Sequence, residues 1–194
     1  MSYKYRADES DFILGAGIDL SQIGGVRPPA SMCHTGGAPA QLAADGVNST
    51  PVVTEIYVAT IVVPFTCLCT GAAMFNGSDA TDSVKVGLFD AAGVLLRATA
   101  DTQQSGTDAY QKIPWATDGA NAAATTIVLP TGVYYLGAIF DGTTTRFNAW
   151  GVGAFPTRRV TGAVYATAFN TTSLSITPPT VFTTTDLPPI ASLY

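Results

Sequence analysis

Between residues 51 and 177 the chain is a succession of short runs rich in Val, Ile, Thr and Tyr, each cut off by Gly, Asn, Asp or Pro. β-Branched residues lose side-chain freedom in a helix and pack well on a pleated surface, so such runs favour strands. No segment sustains the three- and four-residue apolar spacing of an amphipathic helix. The pattern predicts strands over residues 54–63, 66–75, 84–89, 94–99, 109–113, 125–129, 133–140, 146–149 and 162–169, the last continuing through Asn170 into 173–177. The pair 84–89 and 94–99, joined by Asp90-Ala91-Ala92-Gly93, is the clearest hairpin. Asn76-Gly77-Ser78-Asp79 supplies another turn. The strongest helical competitor, residues 121–129, runs from alanines into Thr125-Thr126-Ile127-Val128, which leaves at most one helical turn. Many short strands without helices predict an all-β fold, an antiparallel β-sandwich of jelly-roll-like type.

The flanks have a different texture. Residues 1–50 carry Gly24-Gly25, Pro28-Pro29, Gly36-Gly37, Pro39 and Gly46 and show neither period, apart from a short strand or turn of helix within 11–20. From Pro178 the chain is again rich in Pro and Thr and ends in an uncharged apolar tail. The expected organisation is an extended N-terminal arm (1–50), a sandwich domain (51–177) and a C-terminal arm (178–194). The apolar residues of the arms are the expected partner contacts: Phe12, Ile13, Leu14, Ile18, Leu20 and Ile23 at the front, and Ile190, Leu193 and Tyr194 at the back.

Charge is scarce. Asp, Glu, Lys and Arg make up 12% of the chain, against about 25% in ordinary soluble domains. Mean hydropathy is +0.28, yet no stretch approaches the ~20 apolar residues of a spanning helix, so a membrane is not an expected partner. A neutral Thr-rich surface and burial against other subunits both accommodate so little charge. Nine basic residues face fourteen acidic ones, and Arg158-Arg159 is the one adjacent basic pair, so nucleic acid is not an expected partner either. The N-terminus has no signal-type apolar core. Three cysteines, an odd number, argue against a disulfide framework. The sequons at Asn48, Asn76 and Asn170 read as chance products of Asn beside abundant Ser and Thr.

The residues that carry chemistry are few. His34 is the single histidine, beside Cys33 in the Gly- and Pro-rich arm, and no nucleophile-elbow pattern accompanies it. Cys67 and Cys69 alternate in a predicted strand and face one side, as buried small hydrophobes. With Cys33 and His34 they offer four zinc-type ligands, but the spacing matches no C-x-x-C site. Asn76, Asp79 and Asp82 form the most anionic loop, without the ligand pattern of a calcium loop. Asp101, Asp108, Asp118 and Asp141 are scattered carboxylates, and no phosphate-cradling Gly loop or dinucleotide fingerprint occurs. No catalytic residue, cofactor or metal is assigned, and an enzyme is not expected. Trp115, Trp150, Tyr110, Tyr134 and Tyr135 offer rings for sugar stacking, although core packing claims such residues more often. Tyr134-Tyr135 puts one ring on each face of its strand.

The stretch Leu129-Pro130-Thr131-Gly132-Val133-Tyr134-Tyr135-Leu136, running on to Phe140-Asp141-Gly142-Thr143, resembles β-sandwich proteins of tailed-bacteriophage particles. The hairpin from Val86 to Leu96 is similar to another strand pair of that class, and together the resemblance covers residues 84–148. It takes in head-decoration, head-fibre and tail-fibre proteins. It implies a non-enzymatic structural part of a virion, a capsid-exterior decoration protein attached through its arms and associated as a homotrimer. Its partners would be the major capsid or tail proteins and itself, on the virion exterior, with assembly in the host cytoplasm. The acidic balance fits the outside of a particle better than the inside. The alternative is a tail-fibre or receptor- or glycan-binding sandwich using Trp115 and Trp150.

Overall fold

A strand buried on both faces, a proline inside another and aspartate-capped turns decide how these segments assemble. The computed structural model describes residues 18–19, 33, 35, 46–53, 55–64, 66–150, 162–165, 176 and 188–194. Among the described residues there is no helix. The strands are β1 (Ile18–Asp19), β2 (Gly46–Ser49), β3 (Ile56–Val63), β4 (Cys67–Cys69), β5 (Gly71–Phe75), β6 (Ser83–Phe89), β7 (Leu95–Thr99), β8 (Thr102–Gln103), β9 (Tyr110–Asp118), β10 (Ile127–Leu129), β11 (Gly132–Phe140), β12 (Phe147–Trp150), β13 (Gly162–Tyr165) and β14 (Ala191–Leu193). Every described pairing is antiparallel except that of β1 with β4.

The main sheet follows the order β13-β3-β11-β6-β7-β9-β5-β14 and folds over at β9. Residues 110–114 of β9 pair with β5, and its Trp115, Thr117 and Asp118 pair with β7. Pro114 sits at that exchange. A proline donates nothing to a ladder and is expected only at edges and irregularities, and here it lies where one partner strand gives way to the other. The next amide, Trp115 N–H, donates to Thr70 O at 3.0 Å. The sequence pattern therefore ended this strand at Ile113, whereas the structure carries it on to Asp118.

Alternation fills the space between the two layers. Tyr57, Ile61 and Val63 from β3, Leu136, Ala138 and Phe140 from β11, and Val84, Val86 and Leu88 from β6 meet Ala72 and Met74 of β5, Ile113 and Trp115 of β9, and Ala191 and Leu193 of β14. Phe147 of β12 stacks on Phe140 at 4.9 Å between centroids and leans on Tyr57 at 4.9 Å. Each fully buried ring of this kind stabilises the fold by about 1.5–3 kcal/mol through area alone. A second cluster, Ile56, Val58, Phe89, Leu95, Ala98, Tyr135 and Ile176, lies on the outer face of the first layer.

Two turns share one design. Asp90 Oδ1 accepts from Ala92 N–H at 2.9 Å and Val94 N–H at 2.8 Å. Asp118 Oδ1 accepts from Ala120 and Ala122 N–H, both at 2.9 Å. In each, the residue three after the Asp takes the left-handed conformation: Gly93 at φ 82° and Asn121 at φ 63°. This second turn occupies the start of the strongest helix-competing segment. The expected strand 66–75 divides at Thr70 into β4 and β5, which join different partners. Residues 46–49 and 191–193, assigned to the arms by composition, are strands of the fold. Of the expected strands over 162–169 and 173–177, residues 166–169 and all but Ile176 of the second lie outside the described residues.

Gly93 also receives the chain at Ile176, whose N–H donates to Gly93 O at 2.8 Å. A Cβ at Gly93 would come within 1.9 Å of Ile176 O. We expect Gly93→Ala to lower the unfolding free energy by about 1–3 kcal/mol in urea titrations, through the left-handed backbone and this contact together. Gly106→Ala is the control, since Gly106 has φ +80° but its nearest neighbour is Ala109 Cβ at 3.4 Å; it loses less.

Candidate functional site

The loops after β5, β8 and β11 converge at one end of the sandwich, where the most anionic segment lies. Asn76 is fully buried there. Its Nδ2 donates to Ser105 O at 2.9 Å, Gly106 O at 3.2 Å and Gln111 Oε1 at 3.0 Å, and its Oδ1 accepts from Gln104 Nε2 at 2.8 Å. Thr145 Oγ1 donates on to Gln104 Oε1, and Asn148 Nδ2 donates to Asn76 O at 2.8 Å. The carboxylates are capped by the backbone: Asp82 by Thr144 and Thr145 N–H at 3.0 and 2.9 Å, and Asp141 by Ser83 N–H at 2.6 Å. Asp79 accepts from the Thr81 hydroxyl at 2.9 Å. These groups hold loops together rather than facing a common vacancy. Among the described residues no group of three or more His, Cys, Asp or Glu side chains is placed to hold a metal ion.

The three thiols meet in the core. Cys67 and Cys69 face one side of β4 with their sulfurs 3.5 Å apart. Cys33 reaches them because its segment lies along β14: Leu193 N–H donates to Cys33 O and Thr35 N–H to Ala191 O, both at 2.9 Å. A hydrogen bond to Cys67, then burial, pushes the Cys33 and Cys69 thiols far above the usual range, while hydrogen bonds from those two pull Cys67 below it. None of the three is in a disulfide and all are fully buried, so no sulfur is presented as a nucleophile. His34 lies outside the described residues.

Several expected contact residues have other employment. Trp115, for which core packing is favoured over glycan stacking, is 1% exposed inside the core, with an unpartnered Nε1. Alternation along β9 puts Ile113 and Trp115 inward and Lys112 and Pro114 outward. Trp150 contributes backbone to β12, and its indole lies outside the described residues. Tyr134 faces the core and Tyr135 the outer cluster; Tyr110 packs on Phe75 at 4.9 Å. Ile190 and Leu193, expected as anchors on a neighbour, are fully buried in this chain. They are so because β14 completes the edge of β5, with Ala191, Ser192 and Leu193 opposite Met74, Ala73 and Ala72. Tyr194 O accepts from Thr70 and Gly71 N–H at 2.7 and 3.2 Å, and Lys112 Nζ lies 4.9 Å from the centre of its ring. Ile18 takes part in β1; Phe12, Ile13, Leu14, Leu20 and Ile23 lie outside the described residues.

Part of the outside is apolar and uncharged. Val62 of β3 and its cross-strand partner Val133 of β11 are 54% and 43% exposed, and Val128 of β10 is 58% exposed. Pattern reading overlooked this surface because the same valines serve equally well as strand formers. Its sequence signal is the absence of any charged residue from 56–78 and from 119–140.

The amide network gives a direct test. Asn76→Asp removes the donor shared by three acceptors and buries a carboxylate among oxygens, which raises its pKa above the unfolded value of about 3.9. Native stability should fall by about 2–4 kcal/mol at neutral pH. Because the raised group binds its proton more tightly when folded, the deficit should shrink as pH falls through that pKa; chemical denaturation at pH 7 and pH 4 reads both. No family model, curated protein sequence or solved structure matches the chain.

Proposed function

We propose that the protein is a non-enzymatic structural subunit, a decoration protein on the exterior of a tailed-phage capsid, and that its N-terminal segment contributes to attachment by strand addition. The observation that carries this reading is β1. Ile18 and Asp19 lie in parallel against Cys67 and Leu68 of β4, within the stretch 11–20 for which the sequence allows a short strand or a turn of helix. An extended segment that seats itself on a strand edge is equipped to do the same on a neighbour, because main-chain hydrogen bonds supply the affinity. The rest of the molecule is consistent with a structural part: its buried amides and hydroxyls join loops, and its thiols are enclosed. The rival glycan-binding reading has lost Trp115 to the core. Assembly would take place in the host cytoplasm and leave the subunit on the virion exterior.

Removing residues 1–25 tests the proposal while keeping Cys33 and Thr35 on β14. Circular dichroism and thermal melts should show a folded sandwich, since β1 adds only two paired residues. Occupancy on particles assembled without the native protein, measured by cryo-electron microscopy, should fall sharply and depend little on salt. Full occupancy by the truncated chain would show that the segment is incidental.

A further inference from the structure

The core holds one group of reactive side chains that the structural role leaves unused, the thiols of Cys33, Cys67 and Cys69. They come from two elements. Cys67 and Cys69 are the first and last residues of β4, and Cys33 lies on the segment that runs along β14. Cys67 carries the middle sulfur, 3.5 Å from that of Cys69 and hydrogen-bonded to that of Cys33 as well. Of the possible pairs, geometry favours one. Residues two apart in a strand stand about 6.6 Å from each other, whereas a disulfide needs its Cβ atoms within about 4.5 Å. Cys67 and Cys69 could be joined only by buckling β4, which β1 pins at Cys67 and Leu68 and β10 pins at all three of its residues. Cys33 is under no such constraint, because it belongs to a separate segment and its sulfur already meets that of Cys67.

We infer that Cys33 and Cys67 are a redox modification site: a low-molecular-weight disulfide oxidises them to an intrachain cross-link that staples the N-terminal segment to the core, and Cys69 stays a thiol. An odd number of cysteines leaves room for one pair and a spare. In the closed form no sulfur is reachable, so the reaction begins when the segment at Cys33 lifts. That requires release of its backbone bonds to Ala191 and Leu193 and of the Thr35 hydroxyl from Pro189, while β4 stays paired on both sides. The Cys33 sulfur, as thiolate, displaces one half of the oxidant, forming a mixed disulfide and releasing one small thiol. When the segment docks again, the Cys67 sulfur attacks that of Cys33: their S–S bond forms, the mixed disulfide breaks, and the second small thiol leaves. Two protein thiols are oxidised, and the oxidant takes up their two electrons and two protons. Hydrogen bonds from Cys33 and then Cys69 lower the Cys67 thiol, and the second of them survives in the mixed disulfide, so Cys67 remains the sulfur that supplies thiolate. The bond closes a loop that contains β2 and β3 and fastens the cover over the edge of β14. The inference goes beyond the structural reading above and stands without it; where the residues ahead of Cys33 hold a neighbour, the staple carries their load into the core rather than to a strand edge.

The test uses the full chain, incubated with oxidised glutathione or with a reductant, then denatured and labelled with N-ethylmaleimide. After reduction all three cysteines should take label, and after oxidation only one. Chymotryptic mapping without reductant should place that label on Cys69 and link a Cys33 peptide to one carrying Cys67. The oxidised chain should melt about 5–10 °C higher, the size expected for a cross-link closing a loop of this length, and a reductant should reverse the shift. Cys69→Ala should cross-link as the wild type does and take no label, whereas Cys33→Ala should show no oxidant-dependent shift. Should either variant fail to fold, the label map of the wild type decides alone. Three labels after oxidation, a label on Cys33, a glutathione adduct retained at Cys33, or a cross-link between copies each overturns the inference. A chain that cross-links as described yet never occupies particles leaves it standing and overturns the decoration reading.

Discussion

At the loop end of the sandwich the tertiary structure converges on the side chain of one neutral residue, Asn76. Its amide joins the end of β5 to the turn before β9 and to Gln111 within β9, and through Gln104 it reaches Thr145 in the loop before β12. Its backbone adds Ala109 on one side and Asn148 on the other. A chain with more charge could have tied these loops with ion pairs, at a desolvation cost that often cancels the gain. Neutral amides avoid that cost, but every donor must meet an acceptor, which fixes the loop geometry closely. The arrangement of β5, β9 and β12, and hence the facing of the two layers, is inseparable from that network.

The second dependence is mutual closure by chain segments far apart in sequence. β14 fills the edge of β5, the segment at Cys33 and Thr35 fills the edge of β14, and Ile176 covers the outer face of the first layer. Thr35 donates its hydroxyl to Pro189 O at 2.9 Å across 154 residues. Such contacts repay their loop-closure entropy only once both ends are in place. The central strands should therefore form before these terminal pieces dock.

How much of this was legible in the sequence depended on whether the signal was local. The hairpin of β6 and β7 was readable because Asp90 and Gly93 specify their turn without help. Cys67 and Cys69 on one face, and Tyr134 and Tyr135 on opposite faces, followed from pleat geometry. The continuation of β9 past Pro114 was hidden because the exchange of partner strands that tolerates a proline is a tertiary event. β14 was hidden for a related reason: Ile190, Ala191 and Leu193 look like a mobile tail until β5 is known to lack a neighbour. Trp115 was left between core packing and a sugar-facing surface because strand 109–113 stopped two residues before it, and with it went the alternation that points it inward. The buried amide network left no sequence signal beyond a set of Asn, Gln and Thr residues that composition assigned to turns and surface.

Asn76 is followed by Gly77, the pairing most prone to spontaneous chemical ageing, in which the glycine nitrogen attacks the asparagine carbonyl and ammonia is lost through a cyclic imide. Here that nitrogen donates to Arg146 O at 2.9 Å, and the asparagine amide is engaged at both ends in a dry site. A Cβ at Gly77 would come within 2.2 Å of Asn48 Oδ1, so a bulkier residue, which would slow the reaction by itself, has no room. The fold thus requires the vulnerable dipeptide and shields it at the same time. Chemical lifetime and folded lifetime are consequently linked at this position, and each interval spent unfolded leaves the chain open to a loss that refolding does not reverse.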